Sequence, residues 1–152
     1  MRPFHFRLDK VLAWRRTELE LEHYKMKRLS AELEETERSR AKLAAERAVA
    51  EHVILRARLI QGADLNAHAA RLDYLDRQER ALLGRRAEQQ RRIAEAHRCL
   101  LEARRRLRLL ERLKLARQAE WRTDLNRELE AFAAEAHLAR WAPSGVTAPP
   151  LS

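Results

Sequence analysis

Proline is absent between Pro3 and Pro143, and within that stretch glycine occurs only at Gly62 and Gly84. Proline and glycine are the residues that most disfavour a helix interior, whereas the Leu, Ala, Glu, Arg and Gln that dominate here favour it. Charged residues make up 36% of the chain and aromatic residues 5%, which is typical of long helices with a narrow contact surface. We therefore predict an all-α protein.

The strongest break in this helical run is the segment Gln61–Asp64, which we expect to be a turn. Its position predicts a first helix over about residues 4–60 and a longer second helix over about 65–140. A short connection between two long helices makes them antiparallel neighbours, so residues 4–141 are expected to form one antiparallel coiled-coil hairpin. The Pro/Gly/Ser-rich segment 142–152 is expected to be a disordered tail.

The turn has a predicted mechanism. Gly62 is expected to take the left-handed conformation that commonly ends a helix. Asp64 or Asn66 is then expected to cap the second helix by accepting backbone N–H bonds.

Each arm carries a single apolar stripe with spacings of three and four, which is the pattern of a coiled-coil seam. In the first arm the stripe comprises Leu8, Leu12, Leu19, Met26, Leu29, Leu33, Leu43, Ala50, Ile54 and Ala57. In the second arm it comprises Leu72, Leu75, Leu82, Ile93, Ala96, Leu100, Ala103, Leu107 and Leu110. The first seam is interrupted by polar residues at Arg15, Glu22, Thr36, Arg40 and Arg47. Such positions are expected either to set the register or to weaken the arm.

Folding about a turn near residue 62 predicts that Phe4 lies opposite Trp121. The helix beyond Arg122 then has no partner within the chain over about 30 Å, at a rise of 1.5 Å per residue. The same register places Glu18, Glu20 and Glu22 near Arg104, Arg105, Arg106 and Arg108. It also places Glu34, Glu35 and Glu37 near Arg85, Arg86, Arg91 and Arg92.

The formal net charge is +9, and the excess lies within the second arm rather than in a terminal tail. A basic face is compatible with binding to nucleic acid or acidic lipid. It is equally compatible with a solvated surface, because acidic residues are interleaved with the arginines. Since many of these arginines have a carboxylate to face, we do not expect nucleic-acid binding. The single cysteine, Cys99, is expected to be a buried side chain.

The sequence has no pattern typical of an enzyme. None of the six histidines lies three or four residues from another histidine or from Cys99, so the usual spacings of zinc ligands are absent. The sequence also has neither a glycine-rich phosphate loop nor a nucleophile elbow. We therefore expect no catalytic residues, no cofactor and no metal. Neither a signal peptide nor a membrane span is predicted, and we expect a cytoplasmic protein.

The open end of the predicted hairpin is richer in aromatic residues. Phe4 and Phe6 are expected to fold back on Trp121 and close the hairpin. On the second helix, Leu125, Leu129, Phe132 and Ala136 form an apolar stripe that needs a cover. This end is therefore also a candidate docking surface for another protein.

The opening of the chain, F-x-F-x-L-x-K-V-L over residues 4–12 followed by a charged helix, resembles the start of the FliJ family of flagellar export proteins. The plan of residues 4–141 is similar too, with two Arg/Glu/Leu-rich helices, a turn before the midpoint and a longer second helix. The tail after Pro143 and the heavy use of arginine depart from the family. No motif identifies residues that would bind the export gate.

The resemblance implies an antiparallel coiled coil similar to the central stalk of rotary ATP synthases. Its terminal end would enter the ring of the flagellar type III export ATPase (FliI-like), and it would also contact the export-gate protein (FlhA-like) and export chaperones. It would associate peripherally with the inner membrane through this apparatus. The residues transferred to the ring-inserting end are Phe4, Phe6, Leu8, Val11, Leu12, Leu125, Leu129 and Phe132.

Three alternatives stay open at this level. One is the equivalent stalk of a virulence type III secretion system. Another is a basic coiled-coil protein that binds nucleic acid, and the third is a generic coiled-coil scaffold. The heptads are also compatible with two chains pairing through continuous helices instead of one chain folding back.

Overall fold

The computed structural model describes residues 3–56 and 61–141. Two helices account for nearly all of them: α1, Asp9–Arg56, has 48 residues and α2, Gly62–Trp141, has 80 residues. The described part contains no strand. The prediction of an all-α fold with two long helices, the second longer, is confirmed. None of the helices in the described part has an apolar stretch long enough to cross a membrane.

The first helix begins at Asp9 and not near Phe4, so the predicted start was wrong. The backbone N–H of Asp9 donates to the carbonyl of Phe6 at 3.1 Å, which closes a turn directly before the helix. Asp9 also places a negative charge in the first turn, where the partial positive charge of a helix N-terminus favours it. Residues 3–8 are not helical and lie along α2.

The second helix begins at Gly62, so Gly62 does not end α1 as predicted. No glycine of the described part has a positive φ, and the backbone N–H of Leu65 donates to the carbonyl of Gln61 at 3.1 Å. Gln61 thus accepts the first bond of the helix, and Asp64 lies inside the first turn instead of capping it. The predicted end of α1 near residue 60 and the tail 142–152 lie outside the described residues.

The chain divides into two compact units: unit 1 comprises Met1–Ala13 with Leu107–Ser152, and unit 2 comprises Trp14–Arg106. Contacts within unit 2 run antiparallel, since Glu18 pairs with Arg106 whereas Arg47 pairs with Asp76. Unit 1 contains a corresponding pairing between its N-terminal segment and α2. The predicted antiparallel arrangement of the two helices is therefore confirmed.

Burial follows both predicted seams. Every described member of the two apolar stripes is buried or half-buried, and Ala57 lies outside the described residues. The most deeply buried apolar residues of unit 2 are Ala50, Leu75, Leu100 and Ala103. Two helices cover only one narrow face of each other, so the core is a single row of side chains.

The seam of unit 2 contains a polar layer, which we define as Thr36, Arg40, Arg86 and Gln89. Thr36 and Gln89 are buried, and both donate to the backbone carbonyl of Glu32, at 3.2 and 3.3 Å. Arg40 and Arg86 are half-buried and share one carboxylate, that of Glu37.

Most ion pairs of the described part join residues three or four apart on one helix. Of the pairings predicted between the helices, Glu18–Arg106 at 3.8 Å and Glu37–Arg86 are present. Glu34 and Glu35 instead pair with Arg38 on their own helix. A further bridge between the helices comes from the seam residue Arg47, which contacts Asp76 at 2.7 Å and Glu79 at 3.3 Å. Hydrogen bonding to Glu51 and the charge of Asp76 raise the pKa of Arg47.

Cys99 is exposed, so its predicted burial was wrong. It lies one position before the buried Leu100, and neighbouring residues on a helix point about 100° apart.

Candidate functional site

The candidate site lies in unit 1, where residues 3–8 pack along α2. Phe4 and Phe6 face α2, whereas His5 and Arg7 are exposed. The alternation has a period of two, and residues 3–6 lie outside any helix. The segment therefore presents its two aromatic rings to the same face of α2.

Both rings are held by specific contacts. The centroid of the Phe4 ring lies 6.0 Å from that of Trp121, with the planes tilted by 55°. Phe6 is only 5% exposed, and the Nζ atom of Lys114 lies 5.9 Å from its ring centroid. The same Nζ atom donates to the Oδ1 atom of Asp9 at 2.6 Å. The prediction of a contact with Trp121 is confirmed for Phe4, whereas Phe6 is buried with Lys114 beside its ring.

An open groove of about 620 Å³ runs between this segment and α2. The apolar side chains of its walls include Leu8, Leu113 and Trp121, and charged side chains complete the walls. At its rim Arg117 is paired with Glu120 at 2.8 Å. A shallow groove of this composition is suited to holding part of another macromolecule.

The eight predicted site residues fall into three groups by exposure. Phe6 and Leu12 are buried within unit 1 and serve its packing. The half-buried members are Phe4, Leu8 and Leu125. The exposed members, which a partner can reach without rearrangement, are Val11, Leu129 and Phe132.

The distal segment of α2, residues 126–141, is exposed at every position. Leu129 is 57% exposed and Phe132 is 71% exposed, although both are large apolar side chains. At 1.5 Å per residue, the part of α2 after Trp121 extends for about 30 Å. No described residue of the N-terminal segment covers it, as the register predicted.

Two further apolar residues of the distal segment, Leu138 and Trp141, were not predicted as site residues. Both are exposed, and the Trp141 ring centroid lies 6.1 Å from that of His137. A second run of apolar residues, Ala131, Ala134, Leu138 and Trp141, with spacings of three, four and three, was the available signal. The distal segment is therefore apolar on more than one side.

The described residues contain no group of three or more His, Cys, Asp or Glu side chains arranged to hold a metal ion. Comparison of the chain with family models, with curated proteins and with solved structures finds no match.

Proposed function

We propose that this protein is a non-enzymatic component of flagellar protein export, a coiled-coil stalk that binds the export ATPase ring and couples it to the export gate. The observation that carries the proposal is the distal segment of α2, which leaves Leu129, Phe132, Leu138 and Trp141 exposed. Apolar side chains of this size gain free energy when a partner removes them from water. The resemblance of residues 4–12 to the FliJ family supplies the identity of that partner.

The packing of unit 1 supports different roles for the N-terminal segment and the distal segment of α2. Phe4 and Phe6 fix the N-terminal segment against α2, and the exposed residues of the distal segment supply the contact with the ring. A helix that touches the ATPase subunits unequally favours different conformations in different subunits, because a ligand shifts an equilibrium by its differential affinity for the states. In this proposal the chain also delivers export chaperones and associates peripherally with the inner membrane through the gate.

The proposal predicts that the chain binds the flagellar export ATPase and raises its rate of ATP hydrolysis. The decisive variant is Leu129→Ala/Phe132→Ala, which removes exposed apolar area without touching the packing of unit 1. The matched control is Leu55→Ala/Tyr24→Ala, which truncates a leucine and an aromatic residue that are similarly exposed in unit 2. Circular dichroism should show unchanged helix content in both variants.

Co-purification and ATPase assays with purified ATPase then test the proposal. The natural chain and the control variant are expected to bind and stimulate, whereas the distal-segment variant is expected to lose both. Absence of binding by the natural chain would refute the proposal. Equal stimulation by the distal-segment variant would show that the ring contact lies elsewhere and would refute its assignment to this segment.

A further inference from the structure

The apolar stripe of the distal segment continues the seam of unit 1. Trp121 and Leu125 are the last half-buried residues of that seam. Leu129, Phe132 and Ala136 follow Leu125 at spacings of four, three and four, and all three are exposed. Such spacings keep them on the face of α2 that the N-terminal part of the chain covers earlier in unit 1. A helix bound to this stripe would therefore take the place that α1 has over the preceding turns of α2.

One flank of the stripe shows which charge such a helix must carry. Glu128 and Glu135 are seven residues apart, and Lys114 lies fourteen residues before Glu128. Seven residues make nearly two helical turns, so the three side chains occupy equivalent positions beside the seam. The Nζ atom of Lys114 donates to the Oδ1 atom of Asp9, across the seam, at 2.6 Å. Where the N-terminal part of the chain covers α2, this position therefore has an opposite charge to face.

Glu128 and Glu135 have no such partner within unit 1. Both are exposed, and neither forms an ion pair in the part of the chain that the structure describes. The positions three and four residues from them hold only apolar residues and Asp124, so no basic residue of α2 competes for them. Arg127, which is next to Glu128 in sequence, lies with its Nη1 atom 3.8 Å from the Oδ1 atom of Asp124. The flank therefore carries two negative charges that await a positive one.

These charges decide among the possible occupants. A second copy, packed with its Phe132 against Leu129, would bring Glu128 of one chain beside Glu135 of the other, and like charges disfavour that pairing. Residues 142–152 contain no charged residue and offer the carboxylates nothing. Nucleic acid and acidic lipid are anionic and are repelled as well. A basic helix from another protein satisfies both the apolar stripe and its flank.

We infer that the distal segment binds a basic amphipathic helix. The apolar face of that helix covers Leu129 and Phe132, and its lysine or arginine side chains, seven residues apart, pair with Glu128 and Glu135. The assignment of this helix to the export ATPase ring rests on the proposed function. Exposed ion pairs contribute little free energy, about two-fold in affinity each, so the two carboxylates select the partner and its register while the apolar contact supplies most of the binding.

Two synthetic peptides of about three heptads serve as probes. Both have leucine at positions a and d, and they differ in having lysine or glutamate at every e and g position. Like charges at these positions keep each peptide from pairing with itself. Isothermal titration into the full-length protein should show binding of the lysine peptide, weakened by added salt, and about 16-fold weaker binding of the glutamate peptide. The factor is about two for each of two attractions lost and two repulsions gained.

Charge reversal tests the role of the two carboxylates. Glu128→Lys/Glu135→Lys should lower the affinity for the lysine peptide about 16-fold and raise that for the glutamate peptide by a similar factor. The matched control is Glu46→Lys/Glu95→Lys, which makes the same change in net charge at exposed glutamates of unit 2 and should bind as the natural chain does. Leu129→Ala/Phe132→Ala should weaken the binding of both peptides. Circular dichroism should show unchanged helix content in all variants.

Several results would overturn the inference. They are binding of neither peptide, equal affinities for the two peptides, and equal losses in the charge-reversed and control variants. A dimer of the natural chain that Leu129→Ala/Phe132→Ala converts to a monomer would overturn it in favour of a second copy.

The peptide titrations contain no ATPase, so they separate this inference from the proposed function. Selective binding of the lysine peptide by a chain that does not bind the ATPase would refute the stalk and leave the basic-helix site standing. ATPase stimulation that is unchanged in Glu128→Lys/Glu135→Lys would refute the assignment of the basic helix to the ring.

Discussion

Replacement of Gln89 by leucine should stabilise the protein. Gln89 is 5% exposed, and its Oε1 atom is buried without a hydrogen-bond partner among the described residues. A buried unsatisfied acceptor costs about 1–3 kcal/mol, whereas the bond from Nε2 to the Glu32 carbonyl, 3.3 Å long, contributes about 0.5 kcal/mol. Gln89→Leu removes both and adds apolar contact in the seam. The free energy of unfolding should therefore rise by about 1–2 kcal/mol.

The assay is urea unfolding followed by the helical circular dichroism signal, with Gln90→Leu as the matched control. Gln90 is the next residue and is exposed, so the same chemical change there should alter the free energy of unfolding by less than about 0.5 kcal/mol. A higher midpoint for Gln89→Leu at unchanged urea dependence confirms the reasoning. A lower midpoint for Gln89→Leu, or equal shifts in the two variants, refutes it.

The polar layer offers a compensating benefit, because one polar residue in a seam favours a single register and association state at a cost in stability. Gln89→Leu should therefore populate dimers or shifted pairings that the natural chain avoids. Light scattering coupled to gel filtration measures this directly. A variant that is more stable and still a single species of natural mass would show that Gln89 does not specify the register.

Two further predictions concern the outer surface of α2. Gly84→Ala should raise the free energy of unfolding by about 1 kcal/mol, because an added Cβ atom meets nothing within 4 Å and alanine favours the helix; a lower urea midpoint would show that the helix needs glycine there. Cys99 should react with a thiol reagent in the native protein about as fast as in urea, because it is exposed, and a rate limited by unfolding would contradict this placement.

The two helices and their seams were predictable because the signal is local and repeated. A stripe with spacings of three and four fixes which face of a helix turns inward without any knowledge of the partner. The polar seam members Arg15, Glu22, Thr36, Arg40 and Arg47 were predictable for the same reason, and each is buried or half-buried. The antiparallel register followed from the position of the break alone, and it placed Phe4 opposite Trp121 correctly.

The helix starts were not predicted, because they depend on competition between local structures of similar free energy. Absence of proline permits a helix from Phe4 onward, but a non-helical segment lets Phe4 and Phe6 both reach α2. A helix would point these two side chains about 200° apart, since each residue turns it by 100°. The alternation of apolar Phe4 and Phe6 with polar neighbours was the signal for a non-helical segment.

The candidate site was predictable as a region but not residue by residue. Phe6 is buried by α2 and has the Lys114 ammonium group 5.9 Å from its ring centroid, and Lys114 lies more than a hundred residues further along the chain. A sequence motif cannot separate an aromatic residue used for such packing from one left for a partner. Phe132 has no opposing segment among the described residues, because α2 is longer than α1, and it is 71% exposed.

Competition within one helix decides which of the possible ion pairs form. Register alone tells which carboxylates face which arginines, but a glutamate three or four residues away on the same helix competes without any cost of ordering a second element. Glu34 and Glu35 therefore form ion pairs with Arg38 on their own helix. Glu102 of α2 likewise pairs with Arg106, although Arg98 and Arg105 are also three or four residues away from it. In a protein whose core is one row of side chains, the charges and apolar groups that the fold leaves unused are the ones available to partners.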